Sequence, residues 1–358
     1  MAIAALLAAS GPSAKAESNV LLPPPAGKLY FGVYPGGMDG EEDDITLQDV
    51  KSFEATCGKR VTWVYFSNNW YESRTFPVAM ATWIRGHSAV PYIRMMLRSE
   101  DHAPGKGEQV FSMDAIINGT FDEDFRAWAR SAKEFGTPVL VEFGTEMNGH
   151  WFGWNGKYHG GEQTDGFGDP LKPDGPERFV AAWRHIVKLM RSEGAKNLLW
   201  VWHPDANDHP DDAWNDFENY YPGDDMVDWV GFSGYGYLTP RDDWDPASFR
   251  EILDQAYERI QKLAPSKPII VAEFGHAAGN PKQNAAKWAG HALDDLLGGR
   301  WPRVIGFSWW NERWQNDDNP KHDTTMRLQD NKELAEVFSK RLLEGTDKIQ
   351  TKPITGAR

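Results

Sequence analysis

The 358-residue sequence predicts an α/β protein with a single catalytic domain, a closed (β/α)8 or TIM barrel. Three observations carry this. Short runs of apolar, β-branched and aromatic residues alternate with longer stretches of helical period. The runs are apolar on both faces, as strands of a parallel sheet covered by helices must be. Eight of them fall within about 300 residues, which suits closure into a barrel better than an open doubly wound sheet. The Gly-x-Gly-x-x-Gly and Walker A sequences of the nucleotide-binding open sheets are absent.

The runs occupy residues 28–35, 60–67, 89–97, 138–145, 197–204, 227–233, 268–275 and 304–310. Helices are predicted over 44–57, 121–135, 177–193, 246–263 and 281–297, with one more over 331–343 after the last run. Asp44 is placed to cap the first helix. Gly136 and Gly194 stand where a left-handed residue closes a helix.

The chain opens on a short apolar run ending in Ala14-Lys15-Ala16, too short to span a bilayer but suited to a signal-peptide core with a small-x-small cleavage site. Residues 1–16 are therefore expected to direct export, to a secreted or periplasmic location. The missing basic residues leave room for a start further upstream, and a short buried helix is the alternative. Residues 17–27 read as a linker, 28–343 as the barrel domain, and 344–358, polar and without apolar period, as a flexible tail.

With 38 Lys+Arg against 52 Asp+Glu, the chain carries a net charge of −14. That field repels phosphate backbones and anionic lipid, so neither nucleic acid nor a membrane is expected as partner, and the protein is expected to be a monomer. Cys57 is the only cysteine, which excludes an intramolecular disulfide and a zinc site of several thiolates. Aromatic residues are plentiful, with 17 Trp, 11 Tyr and 18 Phe. Tryptophan in such excess is either core or a set of stacking platforms for flat ligand faces, sugar rings among them.

A barrel builds its active site from the C-terminal ends of its strands. Those ends gather carboxylates, amides and indoles: Ser67-Asn68-Asn69-Trp70 after the second run, Thr145-Glu146-Met147-Asn148-Gly149-His150-Trp151 after the fourth, His203-Pro204-Asp205 after the fifth. The sixth ends at Tyr235, the seventh at Ala272-Glu273-Phe274, and the eighth at Trp309-Trp310-Asn311-Glu312. Glu273 follows four apolar residues, so its charge must face the mouth or a buried partner. Glu146 closes the fourth run. Either glutamate alone reads as a salt bridge or helix cap. As a pair on strands four and seven of a Trp-lined mouth, they suit glycoside hydrolysis, in which one carboxyl protonates the leaving oxygen and the other attacks the anomeric carbon. Neither task requires a metal or cofactor, and none is expected. The histidines show no His-Glu-x-x-His or His-x-His spacing.

Glu146-Met147-Asn148-Gly149 followed by Trp151 and Trp154 resembles the acid/base segment of glycoside hydrolase family 26, the β-mannanase family, and Val271-Ala272-Glu273-Phe274-Gly275 resembles its nucleophile strand. The resemblance implies a secreted retaining endo-β-glycosidase acting by double displacement, on β-1,4-mannan first. A β-glucan, a β-1,3-xylan or an exopolysaccharide are the other polymers, and a non-hydrolytic carbohydrate-binding or polymer-assembly barrel is the reading from another class. It makes Glu146 the acid/base, holding a proton before the first step, and Glu273 the ionised nucleophile. Tyr235 would bond the nucleophile, Trp151 and Trp310 would shape the adjoining subsite, and Asn148 would bind substrate. Trp70, Trp154 and Trp314 are candidate platforms with core packing as the alternative. His203 is either a donor to a sugar hydroxyl or a satisfied strand-end histidine. One departure stands out. The family usually has His before the acid/base, whereas this sequence has Thr145.

Overall fold

The computed structural model describes residues 19–37, 42–100, 106–245 and 247–357, so the predicted signal peptide lies outside the described residues. Eight parallel strands form the central sheet: β1 (Leu29–Tyr34), β2 (Trp63–Asn69), β3 (Val90–Met96), β4 (Val139–Phe143), β5 (Leu198–Trp202), β6 (Trp229–Tyr235), β7 (Ile269–Gly275) and β8 (Val304–Trp310). Pairing of β1 with β8, from Tyr30 opposite Gly306 to Tyr34 opposite Trp310, closes the barrel. Of the strand residues only Tyr235 and Ile305 are not buried, which is why the strands read as continuous apolar runs. Only β2 and β6 extend past their predicted runs.

The covering helices are α1 (Leu47–Cys57), α2 (Val78–Gly86), α3 (Met113–Ile117), α4 (Asp122–Phe135), α5 (Asp174–Ser192), α6 (Phe249–Leu263), α7 (Ala285–Leu297) and α8 (Lys332–Glu344). The cap of α1 is Thr46 rather than Asp44. Thr46 and Asp49 satisfy each other's backbone N–H groups in a capping box, and that reciprocal pair fixes the start. Gly136 and Gly194 adopt φ of 75° and 80°, as predicted. Helices α2 and α3 were not expected from the sequence. The first opens at Pro77 without a side-chain cap, and the second is too short to show a period. Between β5 and β6 the crossover contains two single 3-10 turns, Ala213–Asn215 and Phe217–Tyr220.

The end of the barrel away from the mouth is plugged by Trp63, fully buried, with its indole N–H on Ser308 Oγ at 2.6 Å. A Cβ on Gly32 would stand 2.0 Å from that indole nitrogen, so only glycine lets β1 pass the ring. Replacing such a buried Trp by Ala costs about 3–5 kcal/mol.

The C-terminal segment corrects the sequence reading. It is not a loose tail. Ile349 and Gln350 pair in parallel with Leu29 and Tyr30 of β1, beside the stretch where β1 meets β2 only through Gly32 and Val33. Thr355–Ala357 then pairs antiparallel with Asn19–Leu21, so the segment read as a linker is tied down as well. The Tyr30 hydroxyl joins both ends, donating to Leu22 O at 2.9 Å and accepting from Ile354 N at 3.2 Å. Backbone pairing holds this segment, and apolar periodicity does not report backbone pairing.

Candidate active site

Glu273 lies where β7 leaves regular register. Phe232 of β6 faces Val271, but the next residue, Ser233, faces Glu273, so Ala272 forms a bulge. A bulge re-aims the side chains beside it. The Glu273 carboxylate is 3% exposed and accepts from the Tyr235 hydroxyl on Oε2 at 2.7 Å and from Arg94 Nη2 on Oε1, with the Tyr65 hydroxyl, whose one proton is shared with Glu142, 3.1 Å from Oε1.

Glu146 sits in the turn after β4 with φ of 48°, a left-handed conformation that costs a non-glycine residue free energy and recurs at functional sites. The turn is held by its N–H donating to His203 O at 2.6 Å and its carbonyl accepting from Gly149 N at 2.7 Å. The Trp151 indole N–H donates to Glu146 Oε2 at 2.8 Å. Hydrogen bonds join the two glutamates: Glu146 N bonds His203 O, His203 bonds Glu142, Tyr65 lies between Glu142 and Glu273, and Tyr235 bonds Glu273.

Beneath the pair lies a buried polar network that the sequence reading missed. Glu142 of β4 is fully buried and accepts from the hydroxyls of Tyr65 and Tyr92 and from His203 Nδ1 at 3.0 Å. Arg94 of β3 bonds Glu273, bonds Glu42 Oε2 at 2.7 Å, donates through Nε to the Tyr65 hydroxyl at 3.0 Å, and lies 3.6 Å from Glu142. One cation thus holds three carboxylates. The signal was present: an Arg inside Val90-Pro-Tyr-Ile-Arg94-Met-Met, and a Glu inside Val139-Leu-Val-Glu142-Phe, are each a charge in an apolar run, the criterion that singled out Glu273.

The electrostatics differ from the expectation that Glu273 is simply ionised. Burial pushes its carboxyl up; Arg94 opposes this, the Glu146 charge adds to it, and His203 and Tyr235 oppose it, leaving the pKa at about 7. Glu142 is held below its ordinary value despite burial, by His203, Arg94 and Tyr65. His203 is raised although burial alone would lower it, because Glu142 accepts its proton's hydrogen bond. Burial, then the charge of Glu146, pushes Asp205 well above its ordinary value, and burial, then Glu42, does the same for Glu312.

Other predicted site residues separate into two groups. Trp310 closes one wall, stacked on Tyr34 at 4.2 Å, with its indole N–H on Glu312 Oε2 at 2.7 Å and the Arg94 guanidinium 5.1 Å from its ring. Trp314 is half-buried on the rim, bonded to Asn316. By contrast, Asn148 is buried and its amide is spent on the loop after β5, donating to Asp205 O, Asn207 O and Asp208 Oδ1 and accepting from Asp205 N. That makes it a brace between two loops rather than a substrate ligand. Trp154 is buried, stacked on Phe152 and bonded to Thr145 O, so it packs rather than presents a platform. Trp70 is likewise buried against Phe111 and Phe125. His203 is fully buried, with Nε2 on Ser233 Oγ at 2.9 Å, the satisfied strand-end histidine of the two readings. Thr145 is buried too, its hydroxyl 3.1 Å from His203 Nδ1.

Residues 108–290 match the family model described as glycosyl hydrolase family 26. Endoglucanase H of Acetivibrio thermocellus is 27% identical over 292 residues, 81% of this chain and 28% of that protein. A mannan endo-1,4-beta-mannosidase of Bacillus subtilis is 29% identical over 182 residues, 51% of this chain and 41% of that one. The chain thus spans less than half the length of these relatives. Among solved structures, a family 26 β-mannanase of Bacteroides ovatus superposes with a TM-score of 0.57 at 19% identity, covering 90% of each chain, and shares the barrel fold.

Proposed function

The chain belongs to glycosyl hydrolase family 26, and from that premise we propose that it is an exported, endo-acting, retaining β-glycosidase in which Glu146 and Glu273 do the chemistry. The single observation supporting this most strongly is that the two carboxyls share one aromatic-walled mouth, each bonded so as to hold a different role. Glu273, ionised and aligned by Tyr235, Tyr65 and Arg94, attacks the anomeric carbon. Glu146, aligned by Trp151, gives its proton to the departing glycosidic oxygen. The sugar is then an ester of Glu273, whose negative charge is gone. Glu146, now anionic, takes a proton from water, and the hydroxide oxygen displaces Glu273 from the same face the leaving group left. Two inversions give net retention.

For the substrate, β-1,4-mannan comes first, supported by the resemblance of the acid/base segment and by the Bacillus subtilis relative. A β-glucan is the second reading, favoured by two observations. The side chain preceding Glu146 is turned into the barrel against His203, and a relative that matches 81% of the chain is an endoglucanase. Purified protein incubated with mannan, mixed-linkage glucan, β-1,3-xylan and an exopolysaccharide, with product sizing, tests the proposal. Internal cleavage of one β-linked polymer is expected. Binding without cleavage would make the chain a carbohydrate-binding barrel instead.

A further inference from the structure

Among the described residues, the buried carboxylates named here around the reacting centre, except one, each accept at least one hydrogen bond from a side chain of the protein. Glu273 and Glu142 accept from Tyr, Arg and His groups, Glu146 from Trp151, Glu312 from Trp310, and Asp208 from Asn148 and Arg259. The exception is Asp205. Its Oδ1 accepts from the backbone N–H of Asn207 at 2.8 Å, while among the described residues no group donates to Oδ2 and no cation pairs with it. The side chain is 9% exposed.

Its position is built with care. Asp205 follows β5 and pairs with Ser233 of β6, two residues before Tyr235. Its backbone N–H and C=O are both clasped by the Asn148 amide, two residues after Glu146. Two residues before Asp205, the carbonyl of His203 accepts from Glu146 N. The same few bonds therefore fix Asp205 and Glu146 relative to each other. One oxygen is thus held by the backbone, and the other is left free to bond whatever occupies the mouth.

We propose that Asp205 reads the bound glycan, its unclaimed oxygen giving a hydrogen bond to an oxygen of the sugar on the leaving-group side, next to Glu146. The neutral, donating form is favoured by burial first and by the charges of Glu273 and Asp208, and Glu146 adds to them once it has given up its proton. An ionised Asp205 beside Glu146 would also hinder the departure of an oxygen that carries electrons away from the anomeric carbon. The inference rests on the hydrolase reading above and names one of its specificity determinants.

The test measures binding rather than turnover. In a Glu146→Gln background, the affinity for mannohexaose and cellohexaose is compared by calorimetry with that of the same protein carrying Asp205→Ala or Asp205→Asn, each checked by thermal unfolding. Asn keeps the acceptor for Asn207 and still donates from the other position. Asp205→Ala is expected to weaken binding of the better hexasaccharide about tenfold to a hundredfold, and Asp205→Asn by less than about threefold. Unchanged affinity in Asp205→Ala would overturn the inference, as would equal loss in Ala and Asn at an unchanged unfolding temperature. If the background protein binds neither hexasaccharide nor any polymer the parent is tested on, the hydrolase reading itself falls and this inference with it.

Discussion

Arg94 and Glu273 meet inside the barrel mouth, guanidinium Nη2 on carboxylate Oε1, with neither side chain more than 4% exposed. The cation lies on β3 and the carboxylate on β7, so the contact spans the barrel interior. It holds the carboxylate proposed to attack, and it also pairs with Glu42 and lies close to Glu142.

Arg94→Met should therefore damage both stability and activity. Removing one partner of a buried ion pair leaves the others uncompensated and costs about 3–5 kcal/mol. Urea unfolding should register that loss, and kcat should fall at least a hundredfold because Glu273 would hold its proton more tightly. A variant of parental stability with parental kcat would show that the contact is incidental.

The pKa of about 7 at Glu273 fixes the acid limb of the pH profile. Attack needs the ionised form, so kcat/KM should rise with pH through about 7 and then plateau until another group titrates. Tyr235→Phe removes a bond that lowers this pKa, so its acid limb should move upward. The sign for stability is opposite to that for activity. A carboxyl raised from 4.5 in the folded state contributes fully below 4.5, and this contribution is lost as pH rises through about 7. Rate profiles of the parent and the Phe variant check the first point, and Glu273→Gln, which should flatten the fall in stability over that range, checks the second.

Trp151→Phe keeps the ring and loses the donor to Glu146 Oε2. A hydrogen bond to a carboxyl of this kind is worth about 1.5–3 kcal/mol, so kcat should drop about tenfold to a hundredfold. Thermal stability should be nearly unchanged, since the indole is only half-buried. Steady-state kinetics with a melting curve separate the two effects.

Asn148→Ala and Trp154→Ala should behave as core lesions. The first strips the two N–H donors that three acceptors share, and one accepted bond, from the brace between the loops after β4 and β5. The second empties a buried indole site, for about 3–5 kcal/mol. Both should lower the unfolding temperature by several degrees, with KM for polymer moving little in whatever fraction stays folded.

Much of this was legible because the barrel strands are buried on both faces. The eight runs show wherever apolar residues persist without alternation, and Glu146 and Glu273 stand out at their ends. Arg94 and Glu142 are masked by runs that otherwise read as ordinary core, although a charge in such a run has few reasons to be there. Trp70, Trp154 and Trp310 are alike in sequence. Whether an indole faces a mouth or a helix is set by three-dimensional packing, which no local pattern encodes. The C-terminal pairing through Ile349 and Gln350 is invisible for a related reason: main-chain bonds between distant segments leave no mark on side-chain periodicity.

The most direct measurement is the product formed by Glu146→Ala from an aryl β-glycoside with azide, read by NMR. Loss of the acid/base should stall the glycosyl ester on Glu273, and azide should release it as a β-glycosyl azide while polymer hydrolysis falls by several orders of magnitude. Polymer hydrolysis near the parental rate in Glu146→Ala, or an α-glycosyl azide as the product, would contradict the assignment of these two glutamates.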